Sequence, residues 1–386
     1  MKNHITQSLN PALSTIPSSN NKLFAENRTE NSSLSPFSCS FSPQLPELLM
    51  KLNCSIAITT YQAGKLVFIS PADENRLTQL PRTFDKPMGF DVDGDRMVLA
   101  TKDEIIFLEN SRELAVHYPN KKNTYDSLFI PRATFYSGNV DMHDVALGTD
   151  GIWAINTSFS CLCQVTGNFN FIPKWQPPFI TQLVSEDRCH LNGMVLVNGK
   201  PKYVTALGKT NTPQGWRDTI IDGGILMDVD TNEIILDKLP MPHSPMMYKG
   251  ELYMLLSATG EIIRVNIKEK KYDVIKKLDG YCRGMDIYGD YLFVAMSKLR
   301  KNSSTFAKLS FAEKADSAGI KIIHLPTRAL TMEMKYETSV DEIYSLKVLA
   351  NTIRPNILNT TNPIHKYSLS IPGQTFWANT DAGDAE

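Results

Sequence analysis

Three histidines occupy near-equivalent places in three successive stretches of this chain. His143 lies in "VDMHDVALGTDGIWAINTSFSCL" (140–162), His190 in "RCHLNGMVLVNGKPKYVTALG" (188–208) and His243 in "MPHSPMMYKGELYMLLSATGE" (241–261). Each stands just ahead of a short apolar run, a turn and a second apolar run. Neutral imidazoles brought to one point suit Zn²⁺ or another borderline divalent ion, and a three-histidine shell leaves a position open for water or substrate. The same trio could hold a polar ligand without a metal. A histidine at a strand start is most often a hydrogen-bonded structural residue, so that reading stands beside the other two.

The pattern continues with other residues in the histidine's place. "YCRGMDIYGDYLFVAMSKLR" (281–300) carries Arg283, "VDEIYSLKVL" (340–349) carries Glu342, and "KPMGFDVDGDRMVLATKDEIIFLE" (86–109) carries Met88. Glu342 could act as general acid or base, as a fourth ligand, or as a partner of one. Asp141 or Asp144 could orient His143. Arg283 and Arg217 suit a carboxylate or phosphate, or an inter-blade salt bridge. Trp216 and Arg217 sit at the tip of the longest interruption, Thr205–Gly224, where Trp216 is either a lid or an anchor for the loop.

Elements must bring these residues together. Positions 88, 143, 190, 243, 283 and 342 recur roughly every 40 to 60 residues, the interval of one propeller blade of four short strands. Runs of alternating or continuous apolar residues broken by Gly and Asp, with little amphipathic helix, point to an all-β repeat. Three strand-like runs, 55–61, 64–70 and 75–84, precede the first repeat, and one, 342–349, follows the last. Together they complete a sixth blade. The expectation is a six-bladed β-propeller closed by pairing the N-terminal strands with the C-terminal one.

In such a blade the crossover into the inner strand and the turn between the second and third strands share one face. The ring residues should therefore meet Asn156, Thr157, Thr205, Trp216, Arg217, Ser257, Ser297 and Lys298 at one mouth, with Asn156 and Lys298 as substrate contacts. The turn glycines Gly94, Gly151, Gly199, Gly250 and Gly289 fall on the other face.

A formal net charge of −1 gives no footprint for nucleic acid or an anionic membrane. No apolar stretch is long enough for a membrane helix, and the N-terminus shows no secretory signal, so a cytoplasmic protein is expected. The six cysteines fit no zinc spacing and read as free buried thiols. Residues 1–40, rich in Ser, Asn, Thr and Pro, read as a disordered arm, 41–355 as one propeller domain, and 356–386 as a partly disordered tail. "PQLPELLMKLN" (43–53) is the one plausible helix, with Ser42 as its cap, either plugging the propeller or packing on the closing blade.

No nucleophile elbow, phosphate-cradling loop, HExxH or dinucleotide fingerprint is present. The blocks "TYQAGKLVFIS", "KPMGFDV", "PKWQPPFITQLVSEDRCHLNGM", "YVTALGKTNTPQGWR" and "GGILMDV", with those quoted above, resemble a bacterial family of conserved hypothetical proteins numbered 03032, over about 41–355. That resemblance implies no activity. It does imply that the blocks holding His143, His190, His243, Arg283 and Trp216 recur in the family. Asn139 and Asn211 stand where it leads one to expect Asp, which would weaken a metal or substrate contact. By fold analogy the histidine-ringed mouth is similar to that of the peptide-amidating lyase propeller, whose zinc is held by three channel histidines; a fold does not transfer a reaction.

Three functions follow as expectations. The first is a metal-dependent enzyme of lyase or hydrolase type on a small polar or peptidic substrate, with metal on His143, His190 and His243. The second is a non-catalytic binder of a small molecule or peptide at the same ring. The third is an interaction scaffold using its rims and N-terminal arm.

Overall fold

The computed structural model describes residues 34–119, 121–299 and 315–378, together with the strand Ser14–Ile16. Expectations placed on most of the N-terminal arm, on residues 300–314 and on the acidic end from Asn379 lie outside the described residues.

Short apolar runs separated by tight turns satisfy their backbone groups most cheaply by pairing with the run next in sequence. Six antiparallel sheets result, each built outward from an inner strand. Blade 1 is Phe90–Asp93, Arg96–Ala100, Glu104–Asn110 and Ser127–Tyr136. Blade 2 is Met142–Gly148, Gly151–Asn156, Cys161–Gln164 and Ile172–Trp175. Blade 3 is Leu191–Val197, Lys200–Ala206, Gly224–Asp228 and Ile234–Leu239. Blade 4 is Pro242–Tyr248, Glu251–Leu256, Glu261–Asn266 and Lys271–Lys277, and blade 5 is Tyr281–Tyr288, Tyr291–Ser297, Gly319–His324 and Ala329–Tyr336. Blade 6 takes its inner strand, Ser345–Ala350, from the C-terminal side and Cys54–Thr60, Lys65–Pro71 and Leu77–Thr83 from the N-terminal side. The six inner strands pack each against the next in a closed circle. The molecule is a six-bladed β-propeller.

Closure follows the strand arithmetic. Ser345–Ala350 runs antiparallel to Cys54–Thr60, with Leu346 opposite Ile58 and Val348 opposite Ile56. Leu346 is 1% exposed and both isoleucines are fully buried. Three blades also gain an outer fifth strand that the sequence did not announce: Cys39–Phe41 on blade 5, Ser14–Ile16 on blade 6 and, in parallel, Pro355–Ile357 on blade 1. An uncovered outer strand offers a row of unpaired backbone groups, and these short segments cover three such edges. The chain then stays on blade 1, where Trp377 Nε1 donates to the Leu114 carbonyl at 3.1 Å and Arg132 to that of Ser368 at 3.2 Å.

The helix spans Leu45–Lys51 and buries Leu45, Leu48 and Leu49 in the cluster containing Ile56, Ile69 and Phe293. It packs on the closing blade. Gln44, not Ser42, is its N-cap; the Ser42 hydroxyl instead accepts the Glu333 N–H at 2.9 Å, tying the helix lead-in to blade 5. All six cysteines are free and buried. Burial pushes the thiols of Cys161, Cys189 and Cys282 up to about 12, which leaves them unreactive.

Buried hydroxyls latch one blade to the next. At the end of a second strand, Thr59 donates to the Met88 carbonyl (2.6 Å), Thr157 to Leu191 (2.5 Å), Ser257 to Cys282 (2.5 Å) and Ser297 to Ile343 (3.1 Å). At the junction of blades 3 and 4 the latch takes two steps: Thr205 to Asn192 Oδ1 at 2.7 Å, then Asn192 Nδ2 to the Pro242 carbonyl at 2.9 Å. Each bond satisfies a carbonyl that the inner strand cannot pair within its own blade. Two glycines let inner strands approach: a Cβ on Gly89 would lie 2.6 Å from the His143 carbonyl oxygen, and one on Gly284 2.8 Å from the Leu346 nitrogen.

Candidate functional site

The backbone sets the histidines first. Asp141 and Met241, each two residues ahead of a histidine, adopt φ of 50° and 55°, a left-handed conformation uncommon for side-chain-bearing residues. The turn points their carbonyls back at the imidazoles. His143 Nδ1 lies 3.3 Å from the Asp141 oxygen, and His243 Nδ1 lies 3.0 Å from that of Met241 and 2.8 Å from Ser257 Oγ. Blade 3 solves the problem differently. There His190 itself has φ of 51°, and its Nδ1 lies 3.0 and 3.1 Å from the two Asp187 carboxylate oxygens.

The ring residues then meet across blades. His143 and His190 pack edge to face with centroids 4.7 Å apart, and His143 reaches Tyr344 at 5.8 Å. His190 also packs on Trp216 at 4.2 Å, while Trp216 Nε1 donates to Asp187 at 2.9 Å. His243 lies 6.3 Å from the ring of Tyr281. Burial and the charge of Arg283 hold His243 well below the ordinary histidine range; burial, His190 and Arg283 do the same for His143. Burial, Arg283 and Arg217 take His190 down to about 3, and burial pushes Asp187 up to about 7. All three imidazoles are therefore neutral near pH 7.

Arg283 is the single cation among them. Its Cζ lies 3.8 Å from the centroid of Tyr344, and its Nη1 lies 3.2 Å from Glu342 Oε1. Two polar atoms beside it are buried without a hydrogen-bond partner, Glu342 Oε2 and the Tyr344 hydroxyl. Such orphans are uncommon in folded proteins and carry a desolvation cost unless something meets them.

A cavity of about 800 Å³ runs from His143, His243, Arg283 and Tyr344 along the axis to Asp93, Arg96, Thr149 and Gly199 at the turns on the other face. Midway lies a belt of charge. Lys347 Nζ is 3.3 Å from Asp91, and three carboxylates stitch neighbouring inner strands: Asp91 accepts from Leu147 N (3.0 Å), Asp144 from Met194 N (3.0 Å) and Asp286 from Val348 N (2.7 Å). Burial pushes Asp144 up to about 7 and raises Asp286.

The residues expected at the mouth divide. His143, His190, His243, Arg283, Glu342 and Trp216 come together. Trp216, 5% exposed, is a packed anchor rather than an open lid; it clusters with Leu207, Ile220, Met241, Tyr281 and Leu299 above the histidine end. Arg217 is on the outer side of that cluster, stacked on Trp216 at 4.5 Å and bonded to Gln214. Lys298 is turned to the rim, 3.2 Å from Asp341. Asn156 is fully buried with Oδ1 accepting the Phe159 N–H, so its carboxamide organises the turn instead of facing the channel. Thr157, Ser257 and Ser297 are spent as latches. Asn211 ties its loop to Thr181 and Arg188, which accounts for an amide there without any metal or substrate. Asp144, expected as a candidate to orient His143, bonds to Met194 and Val145.

Among the described residues, no group of three or more His, Cys, Asp or Glu side chains is disposed to hold a metal ion. Tyr344 and Asp187 are the site residues that sequence reasoning passed over as site members. The one available signal was position: Tyr344 follows Glu342 by two, and Asp187 precedes His190 by three.

The Domain of unknown function (DUF4915) matches residues 43–358. The chain belongs to that family. The match includes every strand of the six blades from Cys54 to Ala350, so all the site residues lie within it. It establishes an uncharacterised domain family, without the number 03032 carried by the resemblance above. No curated protein matches the chain. A solved structure titled "Crystal structure of Nidogen/Laminin Complex" is similar in outline, with a TM-score of 0.47 and 11% identity, over 77% of this chain and 99% of that one. Among the described residues, no helix is long and apolar enough to cross a membrane.

Proposed function

We propose that the protein binds a small anionic ligand inside its channel, with Arg283 anchoring a carboxylate. The observation that carries this reading is the setting of that guanidinium. It is largely desolvated, its ring partner fixes its plane, and one carboxylate oxygen engages one of its five N–H groups. The orphaned Tyr344 hydroxyl beside it is a further donor for an anion. Preformed donors in a dry concave site are what a small-molecule pocket needs, and about 800 Å³ is ample for one. The cavity reaches the face of the turn glycines, whereas the Trp216 cluster roofs the histidine end, so the ligand enters from the turn-glycine face.

A divalent metal at the histidines is less well supported. It would enter the field of Arg283, whose charge reaches all three imidazoles, and even two unit charges 4 Å apart repel by roughly 4 kcal/mol at an effective dielectric of 20. An anion is drawn to Arg283, at the cost of approaching Glu342, which already engages one of its N–H groups.

Titration calorimetry with mono- and dicarboxylates tests the reading. Wild-type protein should bind at least one of them, and Arg283→Gln should weaken that binding about 10-fold or more, as expected for a charge-assisted hydrogen bond. Failure of every carboxylate to bind, or equal binding by the variant, would remove it.

A further inference from the structure

The hydrogen-bond roles of the three imidazoles limit what the ligand can be. A backbone carbonyl only accepts, so Nδ1 of His143, facing the Asp141 oxygen, and Nδ1 of His243, facing the Met241 oxygen, must each carry the proton. The Ser257 hydroxyl is consistent with this. Its own proton goes to the Cys282 carbonyl, so it too accepts from His243. At His190 the partner is Asp187, which also receives the Trp216 N–H; where that carboxyl is ionised, the histidine proton again sits on Nδ1. A neutral imidazole protonated at Nδ1 offers a bare lone pair at Nε2. Two different local structures thus yield one tautomer.

The cavity therefore presents two acceptors, Nε2 of His143 and His243. They flank two donors, Arg283 and the Tyr344 hydroxyl. A plain carboxylate would satisfy the donors and leave the acceptors empty. A ligand carrying ammonium groups would bring positive charge up to Arg283, whose field already reaches all three imidazoles. Neutral hydroxyl groups meet both constraints.

We infer that the ligand is a hydroxylated carboxylic acid, of the hydroxy-acid or sugar-acid class, whose carboxylate meets Arg283 while its hydroxyls donate to the Nε2 atoms of His143 and His243. This rests on the anion-binding reading above and goes further by naming the chemistry on the rest of the molecule. The cavity, larger than a two- or three-carbon acid requires, fits a chain or ring with several hydroxyls.

Succinate, malate and tartrate make the test, because they share length and charge and differ in having none, one or two hydroxyls. Calorimetric titration of the full chain, using both enantiomers of each chiral acid, should give affinity rising by roughly 2- to 12-fold per hydroxyl, the range for one net hydrogen bond. In His143→Phe, which keeps a flat ring but no acceptor, the spread between tartrate and succinate should contract. Equal binding of the three acids to wild-type protein overturns this inference and leaves the anion site standing. Absence of binding by all three, and by the other carboxylates, overturns both. The wild-type series decides the matter even if the variant does not fold.

Discussion

The guanidinium of Arg283, on blade 5, lies over the ring of Tyr344, on blade 6, with 3.8 Å between Cζ and the ring centroid. A cation so placed on a desolvated aromatic face gains about 2 kcal/mol and loses its freedom to turn. Glu342, two residues before the tyrosine, takes one of its N–H groups. The anchor for a ligand on one blade is thus aimed by side chains on the next.

Removing that cation should be costly for the fold as well as for binding. Arg283 and Glu342 are 18% and 11% exposed at the side chain, and an unpaired buried partner typically costs about 3 to 5 kcal/mol. Arg283→Met is expected to lower the urea midpoint accordingly, and adding Glu342→Gln should recover a substantial part. If the double variant is no more stable than the single one, the pair is not the source of the loss.

Acid should weaken the protein through its imidazoles. A histidine held below its ordinary value takes up its proton in the unfolded chain first, so its share of stability is lost as pH falls below about 6.5. Asp144 and Asp187, raised to about 7, act oppositely: the native state retains protons that the unfolded chain releases above about 3.8, so their share is lost as pH rises toward 7. Comparing His243→Gln with wild type isolates one imidazole. The variant should gain on wild type as pH falls from about 7 to 4, by up to roughly 1.4 kcal/mol per unit. Parallel melting-temperature profiles would show that His243 does not titrate as argued.

Trp216 should separate ring packing from a hydrogen bond. Trp216→Ala removes a ring that is 5% exposed and stacked on His190, and is expected to cost about 3 to 5 kcal/mol. Trp216→Phe keeps most of that packing and loses the N–H bond to Asp187, a cost of about 1 kcal/mol or somewhat more. Chemical denaturation distinguishes the two. Equal losses would mean the hydrogen bond, not the ring, is what matters.

The closing strand should behave as part of the common core. Leu346→Ala and Ile58→Ala, facing one another across the seam, should each cost about 2 to 5 kcal/mol, and the double variant should depart from additivity. A separate early transition for blade 6, seen by hydrogen exchange at 54–60 and 345–350, would contradict a cooperatively closed ring.

Much of this architecture was legible because its signals are periodic. The repeat length gave the blades, and three runs at one end with one at the other gave the seam. The histidines, Arg283 and Glu342 were found as substitutes for one another in a recurring frame. What escaped has a physical reason. Thr157, Ser257 and Ser297 are as polar as ligand contacts, and no sequence pattern says that a hydroxyl will be consumed by the neighbouring blade's carbonyl. Met241 carries no mark of a left-handed backbone, yet that turn fixes the tautomer of His243. The Asp belt was readable in "GFDV", "HDVA" and "GMDI", an acid before a β-branched residue one place or more beyond the ring position. Its role depends on which strand lies alongside.

The seam has a further consequence in time. Arg283 is translated well before Glu342 and Tyr344, and those two lie beside the strand that joins the chain's two ends. A nascent or truncated polypeptide that stops short of residue 342 has the cation without the side chains that aim it. On the proposed reading, the anchor is complete only when the circle is.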